Sequence, residues 1–270
     1  MQFQSPHLDY TVDRESHIAT VTLNKPERLN AIDQIMHRDI VALCEEIQRD
    51  NDVWVAIWTG AGRGFCSGAD LGGPRPPESE SPPALNEILD EETWVSRQGK
   101  ALYAVDKPMI AAINGVAAGA GFSLALCCDI RVGTPQSRFV TVFQERSLPP
   151  ESGMSFLLSR VAGLGRAMDL SLTSRRVDGE EAYRIGILDR LVPEDQLMDE
   201  ALAIARRICE LPPAAVRVTK RAIRAGLEAT FAEATANETR YGGLARRATH
   251  DAQESIAAFR EKRKPNYLGR

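Results

Sequence analysis

The sequence predicts an α/β chain whose strands are joined by helical crossovers, followed by an all-helical C-terminal segment. Three observations predict it. Strand-like, helix-like and again strand-like patterns succeed one another between residues 17 and 58. Two later stretches of small residues follow apolar runs, as βα turns do. From about residue 195 to the end, alternation gives way to helices with only short breaks.

In "HIATVTL" (17–23), Ala19, Val21 and Leu23 fall on one face and Ile18, Thr20 and Thr22 on the other, as in a strand. Asp33 is an N-cap candidate for a helix in which Ile35, Met36, Ile40, Leu43 and Ile47 recur at helical spacing. "VWVAIW" (53–58) is a nearly continuous apolar run, suited to a strand buried on both faces. Residues 72–84, "GGPRPPESESPPA", hold five prolines and several charges and predict a mobile surface loop. A helix is expected after it, through about Tyr103, and "KPMIAAI" (107–113) reads as another strand. No internal repeat is visible.

Composition narrows the class. A chain of 270 residues with 43% hydrophobic content can build one substantial core, or a main domain with an appendage. Net charge −4 and a pI of 5.7 give no basic nucleic-acid footprint. No apolar stretch approaches membrane-spanning length, and "MQFQSPHLDY" lacks a signal pattern, so no membrane partner and a cytoplasmic location are expected. The five cysteines include the adjacent pair Cys127-Cys128 but no C-x-x-C, and the four histidines are scattered. Reduced, mostly buried thiols and no metal site are expected.

The chemistry concentrates in two glycine-containing turns, "GRGFCSGADL" (62–71) and "NGVAAGAGFSLALCCDI" (114–130). Their backbone can approach a ligand closely because few side chains intervene. In the second, a helix starts inside the motif, leaving its first amide N–H groups without intrahelical partners. One amide from each turn could converge on a single carbonyl oxygen. The plainer alternative is that the small residues only let helix pack closely on sheet. A dinucleotide site is poorly supported, since Leu124 stands where the third glycine of G-x-G-x-x-G belongs. A hydrolase elbow at "GFSLA" would use Ser123, but the only histidine after it is His250, and the helix is expected to begin before the serine.

The whole chain resembles the crotonase family, the enoyl-CoA hydratase/isomerase superfamily. The matching stretches are "NKPERLNAI" (24–32), the two glycine turns with the strand before the second (107–132), "SLPPESG" (147–153) and "AFREKRKPNYLG" (258–269), in the family's order and spacing. The resemblance implies a ββα spiral core over 1–195 that carries an acyl-CoA site. It implies a helical region over 196–270 that drives assembly and completes the CoA site, in a homotrimer or a hexamer built as a dimer of trimers. It implies an acyl-CoA thioester as substrate, with coenzyme A part of that substrate and no separate cofactor. The backbone N–H groups of Ala69 and Ala120 would form the oxyanion hole. Arg28, Leu29 and Ala31 match the CoA-binding segment, with Ser67, Gly68, Asp70 and Leu71 beside the adenine and pantetheine. Phe259 and Lys262 match positions that approach CoA from the C-terminal region, often of a neighbouring subunit.

Two positions depart from the pattern. Where the hydratase branch carries two water-activating glutamates, this chain has Ser123 and Phe143. Both remain candidates for lining the substrate site, but neither can act as a carboxylate base. Glu145 lies two residues beyond the second position and would need a register shift. Glu151 matches the acid position of a branch of enoyl-CoA isomerases. A single carboxylate there can take a proton from C2 and return it at C4 while the thioester oxygen is held. Its plain alternative is a helix-opening acid in "ESGMSFLLSR". Double-bond isomerisation with Glu151 as acid/base is the favoured expectation. Hydration with atypical residues and acyl-CoA binding without catalysis are the alternatives.

Overall fold

The computed structural model describes residues 3–72, 85, 89 and 92–270. Apart from Gly72, the proline-rich loop expected at 72–84 lies outside the described residues. Strands β1 (Leu8–Asp13) and β2 (Ile18–Leu23) form an antiparallel hairpin. The chain then winds into turns that each give one strand to a larger sheet and one short strand to a smaller sheet. The larger sheet receives β3 (Val55–Gly60), β5 (Met109–Ile113), β7 (Ile130–Gly133) and β10 (Arg190–Leu191), in the order β1-β2-β3-β5-β7-β10, parallel from β2 onward. The smaller sheet holds β4 (Gly64–Cys66), β6 (Val116–Ala118), β8 (Arg138–Val140) and β9 (Val177–Asp178), in that order. Sequence patterning missed this second sheet, because two- and three-residue strands are too short to display an alternation.

Period-two burial dictates the two faces of the large sheet. Ala19, Val21, Ala56, Trp58, Met109 and Ala111 turn to one side and join the main core with helix α1 (Gln34–Arg49). Ile18, Val55, Ile57, Ile110 and Val132 turn to the other and pack under Leu197, Ala201 and Ala205 of α7 (Leu197–Cys209). The α1 start is as expected: Asp33 accepts a hydrogen bond from the Met36 amide at 2.8 Å. The apolar run at 53–58 enters the ladder only at Val55, since Val53 and Trp54 are buried in the approach turn, where His17 stacks on Trp54.

Helices α2 (Trp94–Ala104), α3 (Ala120–Cys127), α4 (Met154–Ala162), α5 (Leu164–Thr173) and α6 (Gly179–Arg184) complete the spiral. Beyond α7 come α8 (Pro213–Gly226), α9 (Phe231–Ala245) and α10 (Thr249–Glu261), so the change of character expected near residue 195 is observed. Every residue of α3 is buried, an apolar helix inside the molecule whose first turn carries the second glycine motif. Among the described residues no helix is long and apolar enough to cross a membrane.

Candidate active site

Parallel pairing of β4 with β6 brings the two small-residue turns side by side: Gly64 aligns with Val116 and Cys66 with Ala117. The chain leaves both strands in the same direction, so the two turns emerge at one end of the small sheet. Gly68 adopts φ +96, and a Cβ there would lie 2.8 Å from the Ala118 carbonyl oxygen and 3.5 Å from the Ala120 nitrogen. Only glycine combines that backbone conformation with that closeness. A Cβ on Gly121 would sit 2.3 Å from the Cys66 carbonyl oxygen, so close helix-on-sheet packing is also part of the motif's use.

Neighbouring hydrogen bonds orient the first amide. The Ile32 amide donates to the Gly68 carbonyl at 2.8 Å and the Asp70 amide to the Ile32 carbonyl at 2.9 Å. In this parallel bridge Ala69 is paired with Ile32, and the bonds use the groups flanking Ala69, so its own N–H faces away from that neighbour. Ala120 is the first residue of α3, after Gly119 at φ +47, and has no preceding turn to accept its N–H. Among the described residues neither amide has a protein acceptor.

Glu151 is half-buried and helps to line a cavity of about 500 Å³, together with Val95, Gly99, Tyr103, Cys127 and Phe156. Among the described residues its carboxylate has no ion-pair or hydrogen-bond partner, and its hydrogen bonds go through its main chain. Its carbonyl accepts from the Ser123 hydroxyl at 3.1 Å and from the Met154 amide at 3.0 Å. Glu151 is not a helix-opening acid. Helix α4 begins at Met154 after Gly153, which is left-handed, and its first turn carries no acidic residue. The described lining of this cavity includes neither Ala69 nor Ala120. Ser123 links the two places: it lies three residues, a rise of about 4.5 Å, along α3 from Ala120.

Phe143 is buried, with its ring edge 3.9 Å from where a Gly119 Cβ would be, so it walls the second turn with apolar surface. Beside it Val142 holds φ +55, an outlier for a β-branched residue. Glu145 is exposed and near Arg146, at 3.8 Å. The hydrolase alternative finds no support: Ser123 donates to a carbonyl, and His250 contacts Asp251 on α10.

The expected CoA segment lies against the first turn. The Ser67 hydroxyl donates to the Arg28 carbonyl at 3.2 Å, Leu29 is left-handed, and Ala31 is buried. Asp70 accepts from Lys25 at 2.9 Å, from Arg28 at 3.0 Å and from the Gly72 amide at 3.1 Å. Desolvation alone would raise its pKa, but these hydrogen bonds outweigh it and hold the carboxyl at about 2. Leu71 is exposed. Phe259 and Lys262, at the end of α10, are exposed, and among the described residues no hydrogen bond or ion pair joins them to the paired turns.

Sequence reasoning missed three residues that hold this region. Asn30 is buried and left-handed, and its side-chain amide donates to the carbonyls of Ala61, Gly64 and Phe65. Lys25 bridges Asp33 and Asp70. Ser152 donates to the Val95 carbonyl at 3.0 Å. An asparagine inside the apolar "RLNAI" was the one available signal; the other two look like surface polar residues. Among the described residues no group of three or more His, Cys, Asp or Glu could hold a metal ion.

This is the crotonase fold, and comparisons with known proteins agree. The family model for enoyl-CoA hydratase/isomerase matches residues 13–270. The chain is 35% identical to 1,2-epoxyphenylacetyl-CoA isomerase of Escherichia coli K12, covering 95% of this chain and 97% of that protein. It is 33% identical to a short-chain-enoyl-CoA hydratase of Clostridium acetobutylicum, covering 94% and 95%. The solved enoyl-CoA hydratase of Bacillus anthracis superposes with a TM-score of 0.86 at 29% identity, covering 99% of this chain and 100% of that one. The chain belongs to the enoyl-CoA hydratase/isomerase family, whose members process acyl-CoA.

Proposed function

We propose that the chain isomerises the double bond of an enoyl-CoA thioester, with Glu151 as its acid/base. One observation carries this: Glu151 is half-buried and borders a cavity, and its carboxylate has no protein partner among the described residues, while its main chain is tied to the helix that opens at Ala120. A carboxylate left unpaired at such a place is available for proton transfer. In the proposed reaction it takes a proton from C2 of a 3-enoyl thioester. The electron pair delocalises onto the thioester oxygen and toward C4. Glu151 then returns the proton at C4, leaving the 2-enoyl product. The Ala69 and Ala120 amides hold the oxygen while it is negative, and loss of one such donor costs about 3 kcal/mol of barrier.

Coenzyme A is the handle of the substrate in this proposal, and no separate cofactor takes part. Arg28, Leu29, Ala31, Ser67, Gly68, Asp70 and Leu71 form its nucleotide and pantetheine surface, and Phe143 the apolar wall beside the thioester. Phe259 and Lys262 reach the CoA of a neighbouring subunit in a homotrimer or a hexamer. Their exposure at the end of α10 supports that placement.

Glu151→Gln is expected to retain acyl-CoA binding and to lose isomerisation of 3-enoyl-CoA by about 10²-fold or more. Parental turnover in that variant would overturn the assignment. Hydration is the second reading, favoured by the activity that the C. acetobutylicum relative's name carries. Crotonyl-CoA in ¹⁸O-labelled water, followed by mass spectrometry, separates the two: no labelled 3-hydroxyacyl product is expected. Deuterium entry at C2 of a bound acyl-CoA, dependent on Glu151, is expected and is incompatible with a purely binding role.

A further inference from the structure

We infer that Ser123 is a positioning residue for Glu151, acting through that acid's main chain rather than on substrate. The inference rests on the acid/base role proposed for Glu151. Ser123 is 1% exposed, and its hydroxyl donates to the Glu151 carbonyl at 3.1 Å. Its own amide donates to the Gly119 carbonyl at 2.9 Å, within the turn that presents the Ala120 N–H. One side chain thus couples the oxygen-binding end of the site to the acid.

The turn that bears the acid needs such a hold. Ser152 and Gly153 are consecutively left-handed, at φ +54 and +80, a conformation that a serine adopts only when its surroundings impose it. Two contacts restrain this turn from the side of α2. The Ser152 hydroxyl donates to the Val95 carbonyl at 3.0 Å, and the α2 backbone at Gly99 comes so close that a Cβ there would lie 2.9 Å from the Ser152 carbonyl oxygen. Ser123 restrains it from the side of α3. Without the Ser123 hydroxyl, the Glu151 carbonyl keeps only the Met154 amide, a local contact that moves with the turn. A side-chain hydroxyl suits the task because the acceptor is a carbonyl oxygen and the serine itself is buried, so its hydroxyl is held in place.

The test measures kcat, KM and acyl-CoA affinity for 3-enoyl-CoA isomerisation in Ser123→Ala, Ser123→Thr, Glu151→Gln and the double variant Ser123→Ala/Glu151→Gln. Displacing an acid by a fraction of an ångström to an ångström lowers turnover by about 10- to 100-fold, so Ser123→Ala should lose kcat on that scale with KM nearly unchanged. Ser123→Thr, which keeps the hydroxyl, should recover most of it. In the Glu151→Gln background, Ser123→Ala should cause almost no further loss, because its effect passes through the acid. Parental kcat in Ser123→Ala, or an undiminished further loss in the double variant, overturns the positioning role while leaving Glu151 as the acid. Full activity of Glu151→Gln overturns the acid/base role itself.

Discussion

The spiral core, with α7 packed on its sheet, and the helices beyond α7 are held by different forces. In the core, both faces of the large sheet are covered by apolar side chains, and Leu23, Val21, Ile40 and Trp58 are fully buried. Helix α8 docks instead through charge. Arg217 and Arg221 converge on Asp106, while Lys220 and Arg224 converge on Asp129 at 2.7 and 3.0 Å. Helix α9 has no fully buried residue, and Phe231, Ile256 and Phe259 lie exposed on α9 and α10. The core is closed by buried apolar area, whereas the outer helices are latched by ion pairs at partly exposed side chains.

The contrast can be broken at the core first. Leu23→Ala should cost about 3 kcal/mol of unfolding free energy, measured by denaturant titration, because it leaves a cavity in close-packed surroundings. An unchanged midpoint would mean that the sheet face is not the source of stability. At the latch, Asp129→Asn should cost about 2 kcal/mol, between the values for exposed and buried ion pairs, since it leaves Lys220 and Arg224 without their counter-charge. Added salt should weaken the parental latch and reduce the difference; a loss that ignores ionic strength would argue for packing instead.

Titration sharpens the same contrast. The Asp70 carboxyl is depressed from 3.8 to about 2. Its contribution is fully present above the unfolded value and is lost as pH falls through the folded one. Asp70→Asn should therefore flatten the stability profile between about pH 4 and 2. Burial lowers the His37 pKa below 6.5, with Gln98 partly opposing. Protonation then favours the unfolded chain, so stability should fall as pH drops below 6.5, and His37→Gln should reduce that slope, leaving the share of His17, whose pKa burial also lowers. The smallest effect on chain stability is expected at Phe259. Phe259→Ser should change unfolding by no more than about 0.5 kcal/mol. It should nevertheless reduce oligomer mass in light scattering if that face is an interface.

Long, patterned elements were legible in the sequence. The Asp33 cap, the alternation of 17–23, the apolar runs at 53–58 and 107–113 and the helical character after 195 all appear in the structure within a few residues. Small residues marked the two glycine turns, and motif resemblance pointed to Glu151. What stayed hidden was short or long-range. The three-residue strands β4 and β6 carry no periodicity, although their pairing is what brings the turns together. A helix start was the plain alternative for the acid at 151, and the left-handed pair at 152–153 places it outside the helix.

By itself the sequence determined which segments prefer strand or helix, which faces are apolar, and that two small-residue turns exist. These follow from local sterics and from the repeat of apolar side chains along the chain. Only the tertiary structure decided that Gly68 lies against Ala118 and Ala120, that Ser123 ties down Glu151, and that α8 is latched by Asp106 and Asp129. Those contacts join residues 28 to 115 positions apart, and no local preference encodes a distance between segments that meet only once the sheets are paired.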